Sequence, residues 1–61
     1  MTNNLAKILK DQGRSQRWLA EKLYVSYQTI NNWCNQRYQP SYTDLQEISI
    51  LLNVDYFDLK Q

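Results

Sequence analysis

The sequence contains no histidine, one cysteine, one glycine and one proline among its 61 residues. A single cysteine, Cys34, cannot form an internal disulfide bond, and a chain without histidine lacks the Cys/His clusters that build zinc sites. No apolar run approaches the roughly 18 residues that a transmembrane helix requires, and no segment has the features of a signal peptide. We therefore expect a cytoplasmic protein that needs no metal and no other cofactor.

The chain also has little excess charge of either sign, because its seven Lys or Arg residues and six Asp or Glu residues leave a net charge of +1. The distribution is uneven: residues 1–40 carry a net charge of +4, and residues 41–61 carry −3. Such a layout lets a basic face approach phosphates while the acidic end lies away from them. Accidental segregation of solvated charges is the alternative interpretation.

The apolar residues recur at helical spacing, and no alternating run of β-branched residues indicates a sheet. The pattern predicts a first helix at about residues 3–12, ended by Gly13. A second helix is predicted to follow Ser15 and to run to about residue 23, and a third to follow Ser26 and to cover residues 27–35.

The second half of the chain predicts two more helices. Ser41 is followed three residues later by Asp44, which is the spacing of a capping box, and Asn53 suits the left-handed residue that ends a helix. A short fifth helix follows, from which Phe57 or Leu59 can pack onto the core.

The predicted architecture is therefore a single all-α domain over residues 1–61, a compact bundle of five short helices. A chain of this length buries only about 60% of its unfolded surface on folding, so we expect its stability to be marginal. The predicted inward positions are Leu5, Ile8, Leu9, Leu19, Ala20, Leu23, Ile30, Trp33, Cys34, Leu45, Ile48, Leu51 and Leu52.

The third predicted helix separates its side chains by chemistry. Helices of about eight and nine residues joined by a three-residue turn have the spacing of a helix-turn-helix, whose second helix fits the DNA major groove, about 12 Å wide. Gln and Asn amides can pair bidentately with adenine. A face that is merely solvated is expected to carry long charged side chains, which have higher helix propensity, so a face of amides favours contact with DNA. The alternative is that these amides are ordinary solvated residues. Opposite the apolar face lie Gln28, Asn31, Asn32 and Asn35.

An ordered set of residues covers nearly the whole chain: SQRWLAEKL at 15–23, then Val25, Ser26, Ile30, Pro40, Ser41, Leu45, Ile48, Leu52, Asn53, Val54 and Leu59. This set resembles the phage repressor and Cro family, also called XRE-like regulators. The resemblance implies a lambda-repressor-like fold and sequence-specific binding of double-stranded DNA by a transcriptional regulator, with repression as the expected role. It also implies a prokaryotic or phage protein associated with the nucleoid.

The resemblance assigns roles by position. Tyr27, Gln28 and Asn32 match the positions from which family members reach base edges, and Asn31 is a lesser candidate. For Tyr27, packing along the sugar-phosphate backbone is an equal alternative. The residues expected on the DNA backbone are Gln16, Arg17, Ser26, Thr29, Arg37 and Tyr38, with Arg14 and Lys10 as more distant supports. An ordinary surface loop is the alternative for Arg37 and Tyr38, and a simple first-turn position is the alternative for Gln16.

The chain departs from the family at three places. Tyr24 stands in the turn where Gly is usual, and if that residue is left-handed its side chain costs on the order of 1 kcal/mol. Gln36 replaces the glycine that often follows the reading helix. Leu9 and Cys34 stand where many members have an ion pair, so we expect Cys34 to belong to the core rather than to act as a redox sensor.

The role of several aromatic residues is open from the sequence. Trp18 lies about one helical step outside the predicted inner face, either over the edge of the core or on a contact surface. Ile50, Tyr56 and Phe57 raise the same question. Resembling proteins often dimerise through this end, and two-fold symmetry brings two reading helices into major grooves about 34 Å apart, so we expect a homodimer on DNA.

Two other classes of function compete with DNA binding. Acidic pairs such as Asp44 with Glu47, and Asp55 with Asp58, are explained by helix capping, and without histidine or a cleft we expect no enzyme. The other alternative is a protein-interaction module, antitoxin-like or anti-repressor, that uses Trp18 and the C-terminal aromatic residues. The salt dependence of binding distinguishes a DNA-binding protein from a protein-interaction module, because affinity for DNA falls steeply as the salt concentration rises.

Overall fold

A computed structural model describes residues 2–60 of the chain. Those residues contain no strand, and no helix among them is both long and apolar enough to cross a membrane. The predicted all-α bundle of five short helices is confirmed. The helices are α1 (Leu5–Asp11), α2 (Gln16–Leu23), α3 (Tyr27–Cys34), α4 (Tyr42–Leu52) and α5 (Tyr56–Lys60).

Helix α1 is shorter than the predicted span of 3–12. Asn3 lies before the helix, and its side-chain Oδ1 accepts a hydrogen bond from the Leu5 backbone N–H at 2.9 Å. Asparagine favours such local bonds over the helical backbone, which is why the helix begins at Leu5. At the other end Gly13 has φ +69°, and it terminates the helix as predicted.

Three serines cap α2, α3 and α4 as the sequence predicts. The Oγ atoms of Ser15, Ser26 and Ser41 each accept a hydrogen bond from the backbone N–H three residues later, at 2.9 to 3.1 Å. Asp44 returns a bond to the Ser41 backbone N–H and completes the capping box. Asn53 ends α4 with φ 55°, in the predicted left-handed conformation.

One apolar cluster lies at the centre of all five helices. Ile8, Leu23 and Leu51 are partly buried against it, and the other predicted inward positions are buried within it. Leu59 is the residue that anchors α5, because it is fully buried whereas Phe57 is 67% exposed. The core consists of Leu5, Leu9, Leu19, Ala20, Ile30, Trp33, Cys34, Leu45, Ile48, Leu52 and Leu59.

The N-terminal segment also joins the ends of the later helices. The Asn4 backbone N–H donates to the Leu59 carbonyl, and its Nδ2 donates to the Asp58 carbonyl, both at 2.9 Å. Gln12 Nε2 donates to the Leu52 carbonyl at 2.8 Å. Carbonyls at a helix C-terminus have no partner within the helix, so these amides satisfy them and hold α4 and α5 against α1.

Candidate nucleic-acid interface

Helices α2 and α3 are joined by a tight three-residue turn. Tyr24 ends α2 with φ 58° and ψ 38°, which is the left-handed conformation. The Val25 N–H then donates to the Ala20 carbonyl at 3.1 Å, and Ser26 begins α3. A non-glycine residue in this conformation carries the steric cost expected for Tyr24, whose side chain is 94% exposed.

The underside of α3 is held by the core. Ile30 is fully buried, and Trp33 and Cys34 are nearly so. Burial raises the pKa of the Cys34 thiol to about 11. Leu9 and Cys34 lie in the same apolar cluster, so they contribute packing at the positions where the family resemblance implies an ion pair, and Cys34 is a core residue.

The opposite side of α3 carries the four amides, and they are hydrogen-bonded among themselves. Gln28 Nε2 donates to Asn32 Oδ1 at 3.0 Å, and Asn35 Nδ2 donates to Asn31 Oδ1 at 3.0 Å. Asn31 Nδ2 in turn donates to Oε1 of Gln16, the first residue of α2, at 3.1 Å. Gln28 and Asn35 are exposed, whereas the other three are half-buried. The structure therefore brings all four predicted α3 amides and Gln16 to one surface.

Two arginines lie over aromatic rings next to this surface. The Arg17 Cζ is 5.6 Å from the ring centroid of Tyr27, which is 47% exposed at the start of α3. The Arg14 Cζ is 4.2 Å from the ring of Trp18, and that ring packs against the core. The edge-of-core interpretation of Trp18 is thus confirmed, and its ring also supports a cation.

The hydroxyl groups at the start of α3 are partly engaged in local bonds. Ser26 Oγ caps the helix and lies 2.9 Å from Thr29 Oγ1. A hydroxyl has one donor and two acceptor positions, so each retains capacity for a further partner. Ser26 is exposed and Thr29 is half-buried.

The loop after α3 presents the last two predicted backbone contacts. Arg37 and Tyr38 are both exposed, and the Arg37 backbone N–H donates to the Asn32 carbonyl at 2.9 Å. Within residues 2–60 the ion pair is Lys7 with Asp11, at 2.9 Å, so the described carboxylates leave the Arg37 guanidinium uncompensated.

A buried polar network that the sequence did not predict holds this loop. Asn3 is 6% exposed, and its Nδ2 donates to the Trp33 carbonyl at 3.1 Å and to Gln39 Oε1 at 2.9 Å. Gln36, left-handed at φ 64°, exchanges two 3.1 Å bonds with the Asn3 backbone. No spacing rule signals these bonds, because the partners lie 30 or more residues apart.

A second cluster of aromatic residues lies on α4 and α5. The rings of Tyr42 and Tyr56 meet edge to face at 5.3 Å between centroids, and those of Tyr56 and Phe57 at 5.5 Å. Tyr42 and Phe57 are about two-thirds exposed. Ile50, on α4, is 78% exposed. Among residues 2–60 no group of three His, Cys, Asp or Glu residues is placed to hold a metal.

The fold and this surface define a helix-turn-helix protein: two short helices meet across a left-handed turn, and the second has a buried underside and an outward row of amides. The helix-turn-helix family profile matches residues 5–59. The chain belongs to this family, among its phage repressor and Cro-like (XRE-like) members, and it is thereby a DNA-binding regulator.

A solved structure agrees with this assignment. The chain is similar to the crystal structure of a "putative DNA-binding protein" from Bacteroides fragilis, at 40% sequence identity and a TM-score of 0.93. The similarity covers 95% of this chain and 94% of that one. No curated protein matches the chain.

Proposed function

We propose that the whole chain acts as one sequence-specific DNA-binding domain of a transcriptional repressor, with α3 in the major groove of its operator. The observation that carries this proposal is the two-sided chemistry of α3. Its apolar side is buried in the core, and its amides lie on the outer surface, where they can reach base edges. Such a protein binds rather than catalyses, and it acts at the nucleoid in the cytoplasm of a bacterium.

Base reading falls to the outer surface of α3. We assign it first to Gln28 and Asn32, whose amides can donate to and accept from adenine. Tyr27 lies at the exposed start of the helix, where its ring fits a thymine methyl group or the sugar-phosphate backbone. Asn31 lies beside them, and its amide is already bonded at both ends.

Contacts to the DNA backbone come from residues that surround α3. Arg17 is the strongest candidate, because the Tyr27 ring beneath it limits its freedom without neutralising its charge. The remaining proposed backbone contacts are Gln16, Ser26, Thr29, Arg37 and Tyr38.

The operator is proposed to be bound by a homodimer. The protein measures 24 × 22 × 19 Å, which is less than the roughly 34 Å between successive major grooves on one side of the duplex, so one copy reads one half-site. The aromatic cluster of Tyr42, Tyr56 and Phe57, in which Tyr42 and Phe57 are about two-thirds exposed, supplies an apolar surface for a second copy. The Arg14 guanidinium over Trp18 weakens the alternative of a protein-interaction module centred on that ring.

Selection of bound sites from random DNA by the purified protein tests the function directly. We expect enrichment of one sequence, repeated with two-fold symmetry at a spacing of about 10 base pairs or a multiple of it. An enriched site without a second half contradicts the dimer. No enrichment, together with affinity that is insensitive to salt, contradicts DNA reading and favours a protein partner.

Substitution separates base readers from backbone contacts. Gln28→Ala is expected to cost about 1–3 kcal/mol on the selected site and to relax discrimination at the base pair it reads. Arg17→Ala should weaken all sequences alike and lower the salt slope by about 1. Gln46→Ala on α4 and Lys22→Ala on α2 are the matched controls, since neither residue has a proposed role toward DNA or a second copy. Binding of both test variants at the parent's affinity contradicts the assignment of α3.

A further inference from the structure

The amides around α3 divide into two hydrogen-bonded sets. The first, the amide pair, is Gln28 with Asn32, joined by one bond of 3.0 Å. The second, the amide chain, runs from Asn35 through Asn31 to Gln16, with bonds of 3.0 and 3.1 Å. The pair lies within one helix, whereas the chain joins α3 to α2. This difference gives the two sets different capacities toward DNA.

Asn31 is the middle member of the amide chain and is bonded on both sides. Its Nδ2 donates to Gln16 and its Oδ1 accepts from Asn35, and its side chain is only half exposed. Bidentate pairing with adenine requires one donor and one acceptor from the same amide. Asn31 keeps one N–H and one lone pair, but moving its amide toward a base edge would break the bond that holds Gln16 in place.

Within residues 2–60 neither amide of the pair is bonded to another helix, so a base contact breaks no link between α2 and α3. An amide has two N–H donors and an oxygen with two lone pairs. Their mutual bond uses one N–H of Gln28 and one lone pair of Asn32. Each amide thus keeps a free donor and a free acceptor, which is the set that adenine N7 and N6 require.

The pair presents two amides next to each other. Gln28 and Asn32 lie one helical turn apart on α3, and their amides are in hydrogen-bond contact. Two amides held side by side can address two neighbouring bases at once. Their mutual bond fixes the position of each relative to the other, so neither base is read independently.

We propose that the amide pair reads two successive A·T base pairs as one unit, and that Asn31 is a positioning residue that holds Gln16 against α3. This proposal rests on the proposed function, since it specifies how the same helix reads its operator. It predicts an operator half-site with adenines at two adjacent positions of one strand. It also separates the roles of two neighbouring asparagines, Asn31 and Asn32.

The coupling within the pair is tested on the selected operator and on variants of it at every base pair. Gln28→Ala and Asn32→Ala should lose discrimination at the same two adjacent base pairs. The loss of affinity of the double variant should be smaller, by at least about 2-fold, than the product of the two single losses. Losses that multiply, or that fall on separated base pairs, overturn the proposal, as does an operator without adjacent A·T pairs.

The role of Asn31 is tested through Gln16. Asn31→Ala should weaken binding to the selected operator and to its base variants by the same factor, leaving discrimination unchanged. In the Gln16→Ala background it should cause no further loss, because the residue that it positions is gone. A selective change at one base pair assigns Asn31 to base reading and overturns the proposal, as do losses that multiply.

A measurement on the unsubstituted protein keeps the proposal testable if a variant fails to fold. Within residues 2–60 the Asn31 Nδ2 donates a hydrogen bond and the Asn32 Nδ2 donates none. Side-chain amide protons of Asn31 should therefore exchange with solvent more slowly than those of Asn32 in free protein. Equal rates contradict the amide chain. If the protein selects an operator but the variants and exchange rates do not behave as expected, only the division into an amide pair and an amide chain is contradicted. If it selects no operator, the proposed function itself is contradicted.

Discussion

The α2–α3 and α4–α5 pairs are built on the same turn. Left-handed Tyr24 ends the first helix of one pair and left-handed Asn53 ends that of the other, with φ of 58° and 55°. The next residue is valine in both, and its N–H donates to the carbonyl five residues back, at 3.1 Å for Val25 and 3.0 Å for Val54. The backbone of the turn therefore does not distinguish the two pairs.

The outward side chains distinguish them. In the α2–α3 pair the outer side of the second helix carries Gln28 and Asn32, whereas the α4–α5 pair presents Ile50 and Phe57. Polar amides suit base edges, and exposed apolar side chains suit a protein surface. One turn geometry thus supports two different surfaces, and the outward residues decide which.

The largest effect should come from the residue that anchors the second helix of each pair. Ile30→Ala in α3 and Leu59→Ala in α5 each remove a fully buried side chain, and each is expected to cost about 2–5 kcal/mol of stability. That is much of what a domain this small possesses. Urea unfolding followed by circular dichroism measures the loss, with exposed Phe57→Ala as the control. A parent-like Ile30→Ala protein would show that α3 is not anchored in this way.

The thiol of Cys34 reports on how tightly the underside of α3 is closed. Burial raises its pKa from 9.0 to about 11, and the thiolate is the reactive form. At pH 8 the folded protein should react with a thiol reagent about 100-fold more slowly than the urea-unfolded chain. Because the folded pKa is raised, the thiol also favours folding less as pH rises from 9 toward 11. Equal rates in the two states contradict a closed underside.

The helix caps separate stability from binding. Ser26→Ala and Ser41→Ala should each cost about 1 kcal/mol of stability, since each removes a side-chain acceptor for a free backbone N–H. Only Ser26→Ala should also weaken DNA binding, because only that cap lies at the start of α3. Thermal unfolding and DNA titration of both variants measure this difference. Equal effects of the two variants on DNA binding would contradict a special role of the Ser26 cap.

The smallest effect is expected in the two turns. Tyr24→Gly should stabilise the protein by about 0.5–1 kcal/mol, because glycine adopts the left-handed conformation without steric cost. Asn53→Gly should change stability by less, since asparagine tolerates that conformation. Chemical denaturation of the two variants ranks them, and a larger gain at Asn53 would reverse the interpretation.

Much of the fold could be predicted from local pattern. The three serine caps, the capping box at Asp44 and the left-handed stop at Asn53 depend on residues within one turn of one another. The α1 boundary could not be predicted, because Asn3 engages in a local bond that competes with the helix. Its buried contacts with Trp33 and Gln39 had no local signal either.

The order of residues alone determined the five helices, the apolar underside of α3 and the outward position of its amides, because helical periodicity assigns each side chain to a face. Tertiary structure decided what each outward group contacts. The bond between Gln16 and Asn31 and the place of Trp18 at the edge of the core both depend on how the helices pack. Such contacts join residues on different elements, and their distances follow from packing geometry that no local spacing encodes.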